Sequence, residues 1–115
     1  MAARADERLE RFRAELLPRL VERFRPERVI AFGSRVRGDA LASSDLDLIV
    51  VAESFRDVRW VDRPLRILEA LDPPFAIDVL CYTPEEYARK RQELGIVRTA
   101  TAEGTALYAD GRSAA

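Results

Sequence analysis

The chain has 115 residues and a formal net charge of −1 at pH 7, so it has the size of one domain and no overall attraction to nucleic acid or anionic membranes. It has no histidine and one cysteine, Cys81, which excludes histidine-dependent catalysis, histidine or multi-cysteine metal sites and an intramolecular disulfide. Any metal would be a hard cation held by oxygen. Because no apolar run could span a bilayer, we expect a cytoplasmic protein with no membrane partner.

The first half of the chain predicts two strands and two helices. An amphipathic helix is expected from Asp6 to Arg25, because its apolar residues recur at helical spacing. Val29 to Phe32 predicts a short buried strand that leads into a glycine. Residues 34–38 predict a short helix capped by Ser34, and Asp45 to Val51 predicts the second strand.

The second half predicts further helices and strands around proline and glycine signals. The expected elements are a helix that begins near Pro64 and ends before Pro73, a strand over Ala76–Cys81, a helix capped by Thr83, a helix near 96–103 and a strand over Thr105–Tyr108. We interpret residues 1–110 as one domain and residues 111–115 as a frayed tail.

Three aspartates stand at the edges of the predicted strands. Residues two apart in a strand share a face, so Asp45 and Asp47 project together while Leu46 and Leu48 face the core. Asp78 interrupts an otherwise apolar strand, where a lone buried charge would be costly without a partner or a metal. The sequence therefore predicts that three carboxylates meet at one end of a sheet.

A glycine and a serine after the first strand supply the second half of this pattern. Gly33 allows close backbone approach to a phosphate, and the predicted helix that follows Ser34 offers unpaired N–H groups. Arg35 and Arg37 could add positive charge. Three converging carboxylates favour a divalent cation, and two such ions suit in-line phosphoryl displacement. The alternative is that these residues form structural ion pairs and a common strand-to-helix turn.

Two motifs together resemble a known superfamily. The run Gly33-Ser34-Arg35-Val36-Arg37-Gly38-Asp39-Ala40, with Ser44-Asp45-Leu46-Asp47-Leu48-Ile49-Val50-Val51, resembles the polymerase-beta-type nucleotidyltransferases, and within them the small stand-alone minimal nucleotidyltransferases. The resemblance extends over nearly the whole chain. It implies an α/β fold with a mixed sheet of about four strands, the first two antiparallel, and helices packed on one face.

The resemblance also implies a reaction and a set of roles. Asp45, Asp47 and Asp78 would hold Mg2+ or Mn2+, Asp78 would help to deprotonate the attacking hydroxyl, and Gly33 and Ser34 would bind the β- and γ-phosphates of ATP or another nucleoside triphosphate. The product would be an acceptor carrying a nucleoside monophosphate.

Members of this group often accompany a helical HEPN-type toxin, on which they act as antitoxins by attaching AMP. The resemblance therefore implies a HEPN-type partner in a hetero-oligomer. The alternative is a non-catalytic module that neutralises a partner by occlusion.

Two further features leave alternatives open. Arg59, Arg63 and Arg66 recur at helical spacing and form either a phosphate or partner stripe or, as we favour, a solvated helix face. Trp60 is either a core residue, which we favour, or an interface anchor.

Overall fold

A five-stranded mixed sheet is the centre of the fold. The computed structural model describes residues 6–109 together with residues 112 and 113. The sheet order is β3-β2-β1-β4-β5, in which β1 is antiparallel to β2 and β4, β2 is parallel to β3, and β4 is antiparallel to β5. The strands are β1 (Arg28–Phe32), β2 (Leu46–Val51), β3 (Ile77–Tyr82), β4 (Thr105–Ala109) and β5 (Arg112–Ser113).

Helices occupy most of the connections between the strands. They are α1 (Glu7–Arg11), a π-helical segment (Phe12–Leu16), α2 (Leu17–Phe24), α3 (Ser34–Arg37), α4 (Arg63–Leu71), α5 (Pro84–Lys90) and α6 (Ile96–Glu103). Two 3-10 turns, Glu53–Phe55 and Trp60–Asp62, lie between β2 and α4. No helix in the described part of the chain is long and apolar enough to cross a bilayer.

The helical region before β1 contains a wider turn that the sequence analysis did not predict. Pro18 stands in the first turn of α2 and has no N–H to donate to the preceding turn. The N–H of Leu17 donates to the carbonyl of Phe12, five residues back. This π-helical segment lets the helix continue across the proline. The helix ends at Phe24, where Arg25 adopts a left-handed conformation with φ 48°.

The larger core lies between one face of the sheet and the helices before β1, together with α4. Leu residues at 16, 17 and 20 pack there with Ile67 and Leu71. The strand residues of this layer alternate, and they include Val29, Ala31, Leu48, Val50, Val79 and Cys81. This alternation is the two-residue period of strands with one face on the core.

A second, smaller core lies on the opposite face of the sheet. Ile30, Ile49 and Val51 pack there against Tyr87 of α5 and Val97 of α6. The Tyr87 hydroxyl and the Thr101 hydroxyl lie 2.9 Å apart and join the two helices.

The predicted α/β class and mixed sheet are confirmed, and β1 and β2 are antiparallel as expected. The expectation that helices pack on one face only is corrected, because α5 and α6 cover part of the other face. Of the tail expected at 111–115, Arg112–Ser113 forms β5, whereas residues 111, 114 and 115 lie outside the described residues. The helix predicted after Gly33 begins at Ser34, and Gly33 takes the cap position in place of Ser34.

Candidate active site

Two of the three predicted aspartates lie directly opposite each other on neighbouring strands. Asp47 of β2 is in register with Asp78 of β3. On its other side Asp47 is in register with Phe32, the last residue of β1. Asp45 lies one residue before β2 begins. The sheet therefore brings the three predicted residues to one end, although they are far apart in the sequence.

The strand period sets the face on which Asp47 and Asp78 lie. Asp47 alternates with Leu48 and shares its face with Ile49, a residue of the smaller core. Asp78 shares its face with Leu80, which packs against the same core. Both carboxylates therefore project on the side of the sheet that carries α5 and α6.

The negative charges of the two other aspartates act on the protonation of Asp47. Burial, followed by the negative charges of Asp78 and Asp45, raises the pKa of Asp47 above its ordinary value. The positive charge of Arg37 acts in the opposite direction. Asp78 is itself exposed, which corrects the expectation of a buried charge: its strand lies at the edge of the sheet, and its side chain reaches solvent there.

Gly33 is required by the close approach of the Asp47 carboxylate. Gly33 has φ 81°, a conformation that L side chains rarely adopt, and a β-carbon at this position would overlap the Oδ2 atom of Asp47. The turn after β1 and the carboxylate on β2 therefore form one continuous surface. Only a hydrogen atom fits as the side chain of residue 33 beside this carboxylate.

A cleft of about 340 Å³ opens beside this surface. Gly33, Ser34, Arg37 and Asp47 are among its lining residues. The cleft-lining residues contributed by α6 are Ile96, Thr99, Ala100 and Glu103.

The sequence predicts the helix near 96–103, but none of its residues is among the predicted site residues. The spacing of Ile96, Thr99 and Glu103 could have identified the side of this helix that lines the cleft, because these residues recur every three or four positions. All three are exposed, whereas Val97 and Ala100 are buried.

Arg37 faces this cleft, whereas Arg35 does not bind there. Arg37 is exposed, lines the cleft and forms an ion pair with Asp39 at 3.4 Å. Arg35 is buried. Its Nη1 donates to Asp6 at 2.9 Å, and its Nη2 donates to the carbonyl of Ser44 at 2.9 Å.

The remaining donors of Arg35 are also occupied. The Nε of Arg35 donates to the same Ser44 carbonyl at 3.1 Å, and Nη2 also donates to the carbonyls of Leu41 and Ala42. The assignment of Arg35 to phosphate binding is therefore corrected: it holds the loop before Asp45, and its charge is already paired.

The carbonyl of Ser44 accepts a further hydrogen bond from Arg8 at 3.3 Å. Arg8 lies on α1 and Asp6 caps that helix by accepting from the Leu9 N–H. The helix at the start of the described residues is therefore attached to the backbone one residue before Asp45.

The donor set fits a hard divalent cation in its chemistry. All three side chains are carboxylates, the ligands that Mg2+ and Mn2+ prefer. Neighbouring strands lie about 4.8 Å apart, a spacing that lets carboxylates in register share one ion. Among the described residues, no group of three or more acidic or cysteine side chains is placed closely enough to hold a metal as it stands.

Comparisons with known proteins identify the family. The model of the family described as "Nucleotidyltransferase domain" matches residues 13–110, which include the turn, the cleft and all three aspartates. The chain belongs to this nucleotidyltransferase family. A crystal structure of a Sulfolobus solfataricus protein, provisionally described as a nucleotidyltransferase, is similar in fold, with a TM-score of 0.65 and 21% identity over 96% of this chain and 92% of that one. No curated protein matches the chain.

The residues whose roles the sequence does not decide lie in different environments. Trp60 is 51% exposed and is not a core residue. Arg63 is buried, where its Nη1 donates to Glu86 at 2.6 Å and to the carbonyl of Cys81 at 3.2 Å. Arg59 and Arg66 are exposed. The three arginines therefore form neither a stripe nor one solvated face.

Proposed function

We propose that the chain transfers a nucleoside monophosphate, AMP from ATP, to a hydroxyl group of a partner protein. The observation that carries this proposal is the register of Asp47 with Asp78 beside the Gly33 turn. It puts carboxylates that suit a divalent cation next to a cleft of about 340 Å³ whose lining includes Gly33, Ser34 and Arg37. Membership of the family supports nucleotidyl transfer in general, and the choice of ATP follows the sequence resemblance.

Each part of the site takes a distinct role in this proposal. Gly33 and Ser34 bind the β- and γ-phosphates, and Arg37 balances their charge. Asp45, Asp47 and Asp78 would hold two Mg2+ ions. When bound, these ions neutralise charge on the reacting phosphate and on the leaving pyrophosphate. Asp78, which is exposed on the edge strand, accepts the proton of the attacking hydroxyl.

The partner that we propose is a HEPN-type toxin, for which the chain would be a cytoplasmic antitoxin. This assignment rests on the sequence resemblance. The reaction would use the ATP of the cytoplasm. The alternative is neutralisation by occlusion without catalysis. The arrangement of Asp45, Asp47 and Asp78 favours catalysis, because an occluding surface gains nothing from three clustered carboxylates, two of which raise the pKa of the third, Asp47.

Incubation of the chain with α-labelled ATP, Mg2+ and the candidate toxin tests this function. The expected result is label on the toxin, which requires Mg2+ and is abolished in Asp47→Asn. The matched control is Asp57→Asn, an exposed aspartate outside the cleft, which should keep full transfer. Absence of label with the native chain, together with neutralisation that survives Asp47→Ala, would reject the catalytic function in favour of occlusion.

A further inference from the structure

A second, larger groove of about 580 Å³ lies on the same face of the sheet as the aspartates. Its floor and walls are largely apolar, with Trp60, Leu80, Tyr82 and Ile96. Arg89 and Lys90 of α5 lie along one side. Trp60 and Ile96 are 51% and 60% exposed, which leaves large apolar side chains open to solvent beside the site.

This groove is continuous with the candidate active site. Along β3, residues 78, 80 and 82 share one face, so Asp78 is followed by Leu80 and Tyr82 of the groove. Leu80 is two residues from Asp78, a distance of about 7 Å along a strand. Ile96 lines both the cleft and the groove. The end of the groove at Leu80 therefore lies next to Asp78 on the same face of β3.

The direction of the proposed reaction agrees with this position. In an in-line displacement the attacking oxygen approaches opposite the leaving group. The pyrophosphate would lie at Gly33 and Ser34, at the end of β1, and the carboxylates lie on β2 and β3. Because the sheet order is β3-β2-β1, the acceptor must enter from the β3 side. The groove that begins at Leu80 lies on that side.

We infer that this groove binds the segment of a partner protein that carries the acceptor hydroxyl, an inference that rests on the proposed function. The hydroxyl oxygen forms a bond to the α-phosphorus as the bond from that phosphorus to the bridging oxygen of pyrophosphate breaks. The electron pair leaves with pyrophosphate, and the hydroxyl proton passes to the Asp78 carboxylate. The nucleoside triphosphate supplies the transferred group.

The charges around the groove favour a polypeptide over a polynucleotide. Lys90 pairs with Glu93 at 3.7 Å, and Glu86 is held by the buried Arg63. Arg89 adds one positive charge, whereas Asp78 and its neighbours add negative charge at the reacting end. A polynucleotide end needs a basic track for its phosphates. An amphipathic wall with a half-exposed tryptophan is typical of an anchor for a protein partner.

Two variants test this groove with defined probes. The probes are a library of short capped peptides with a central serine, threonine or tyrosine, and an RNA oligonucleotide with a free 3′-hydroxyl. With α-labelled ATP and Mg2+, we expect label on peptides, and Trp60→Ala should raise the peptide KM roughly 30-fold. The affinity for a non-hydrolysable ATP analogue should not change. Leu65→Ala, at a residue 56% exposed and outside the groove, is the matched control.

A blocking experiment adds an independent measurement. Lys90→Cys places a thiol at the groove wall, where a bulky maleimide should abolish transfer to peptides and leave binding of the ATP analogue intact. Leu65→Cys, labelled in the same way, should remain active. Burial raises the pKa of the native Cys81 thiol to about 12, so this thiol does not compete for the reagent.

Each outcome separates the groove from the proposed function. Transfer to peptides that is insensitive to both Trp60→Ala and the blocked groove would overturn the inference alone. Transfer to RNA and not to peptides would overturn the protein occupant. If no probe is labelled although the chain binds the ATP analogue, the result rejects the proposed transfer. The inference about the acceptor groove is then rejected as well, because it rests on that transfer.

Discussion

Gly33 and Asp47 lie in direct contact where β1 ends, because the hydrogen of the glycine faces the Asp47 carboxylate with no room for a methyl group. The contact joins the proposed phosphate-binding half of the candidate site to its proposed metal-binding half. A change at residue 33 therefore acts on a carboxylate in another strand.

Gly33→Ala should weaken Mg2+-dependent nucleotide binding. Gly38→Ala is the matched control, because Gly38 has a similar φ of 89° but nothing within 4 Å of its β-carbon. Both substitutions should cost about 1–3 kcal/mol of stability from backbone strain. Only Gly33→Ala should displace Asp47, which isothermal titration with a non-hydrolysable ATP analogue would detect. Equal affinities in the two variants would contradict the role of the Gly33–Asp47 contact.

Magnesium should raise the melting temperature of the native chain and not that of Asp45→Ala or Asp47→Ala. A ligand at ~100-fold its Kd stabilises the folded state by about 2.7 kcal/mol. Without magnesium, Asp78→Asn should melt at a higher temperature than the native chain, because it removes a negative charge opposite Asp47. Thermal melts by circular dichroism give both values. A response to magnesium in Asp45→Ala equal to the native response would count against this metal site.

The Asp6–Arg35 ion pair should make stability depend on pH in the acidic range. Burial acts to raise the pKa of Asp6, but hydrogen bonds from the Leu9 N–H and from Arg35, together with the charge of Arg35, lower it below its ordinary value of 3.8. The stabilisation is therefore complete above that value and is lost as pH falls through the lower pKa of the folded state.

Urea unfolding between pH 5 and pH 2.5 checks this dependence (these pH values are about one unit on either side of the ordinary value). Asp6→Asn should be less stable than the native chain at the upper pH, and this difference in stability should narrow as the pH falls. A gap that stays constant across the range would show that Asp6 contributes by packing and not by its charge.

Arg63→Met should destabilise the fold by about 3 kcal/mol, because it leaves Glu86 and two backbone carbonyls without their buried donor. Arg59→Met is the control, since Arg59 is exposed and pairs only with Asp62 among the described residues. Chemical denaturation measures both. Similar stability in the two variants would mean that the Arg63 network contributes little.

Cys81 should not react with thiol reagents while the chain is folded. Burial raises the pKa of its thiol to about 12, although the positive charge of Arg63 acts in the opposite direction. At pH 8 a chromogenic disulfide reagent should therefore react only on unfolding, and its rate should rise with denaturant. Rapid reaction in native buffer would show that the strand end at Cys81 opens readily.

The strands and the acidic cluster could be predicted because local patterns specify them. The alternation from Leu46 to Leu48 gives Asp45 and Asp47 one face, and the apolar run around Asp78 marks a third strand. The order of these strands follows no local pattern. The family resemblance implies only that the first two strands are antiparallel, and the sheet confirms this pair.

The residues that were misjudged depend on partners distant in the sequence. Arg35 and Arg63 are charged residues in polar surroundings, and nothing local shows that Asp6 and Glu86 would bury them. The exposure of Trp60 likewise depends on the path between β2 and α4. The π-helical segment is the exception, because Pro18 was a visible signal within the predicted helix.

The parallel pairing of β2 with β3 means that assembly of the candidate site depends on the order in which the strands pair during folding. The β1–β2 hairpin brings together the glycine turn and two carboxylates from a short stretch of sequence, whereas Asp78 joins them only after the chain has crossed through α4. Long-range pairings of this kind form slowly, since a large loop must close first. With the proposed metal site, the time at which magnesium affinity returns during refolding would therefore measure when the edge strand docks.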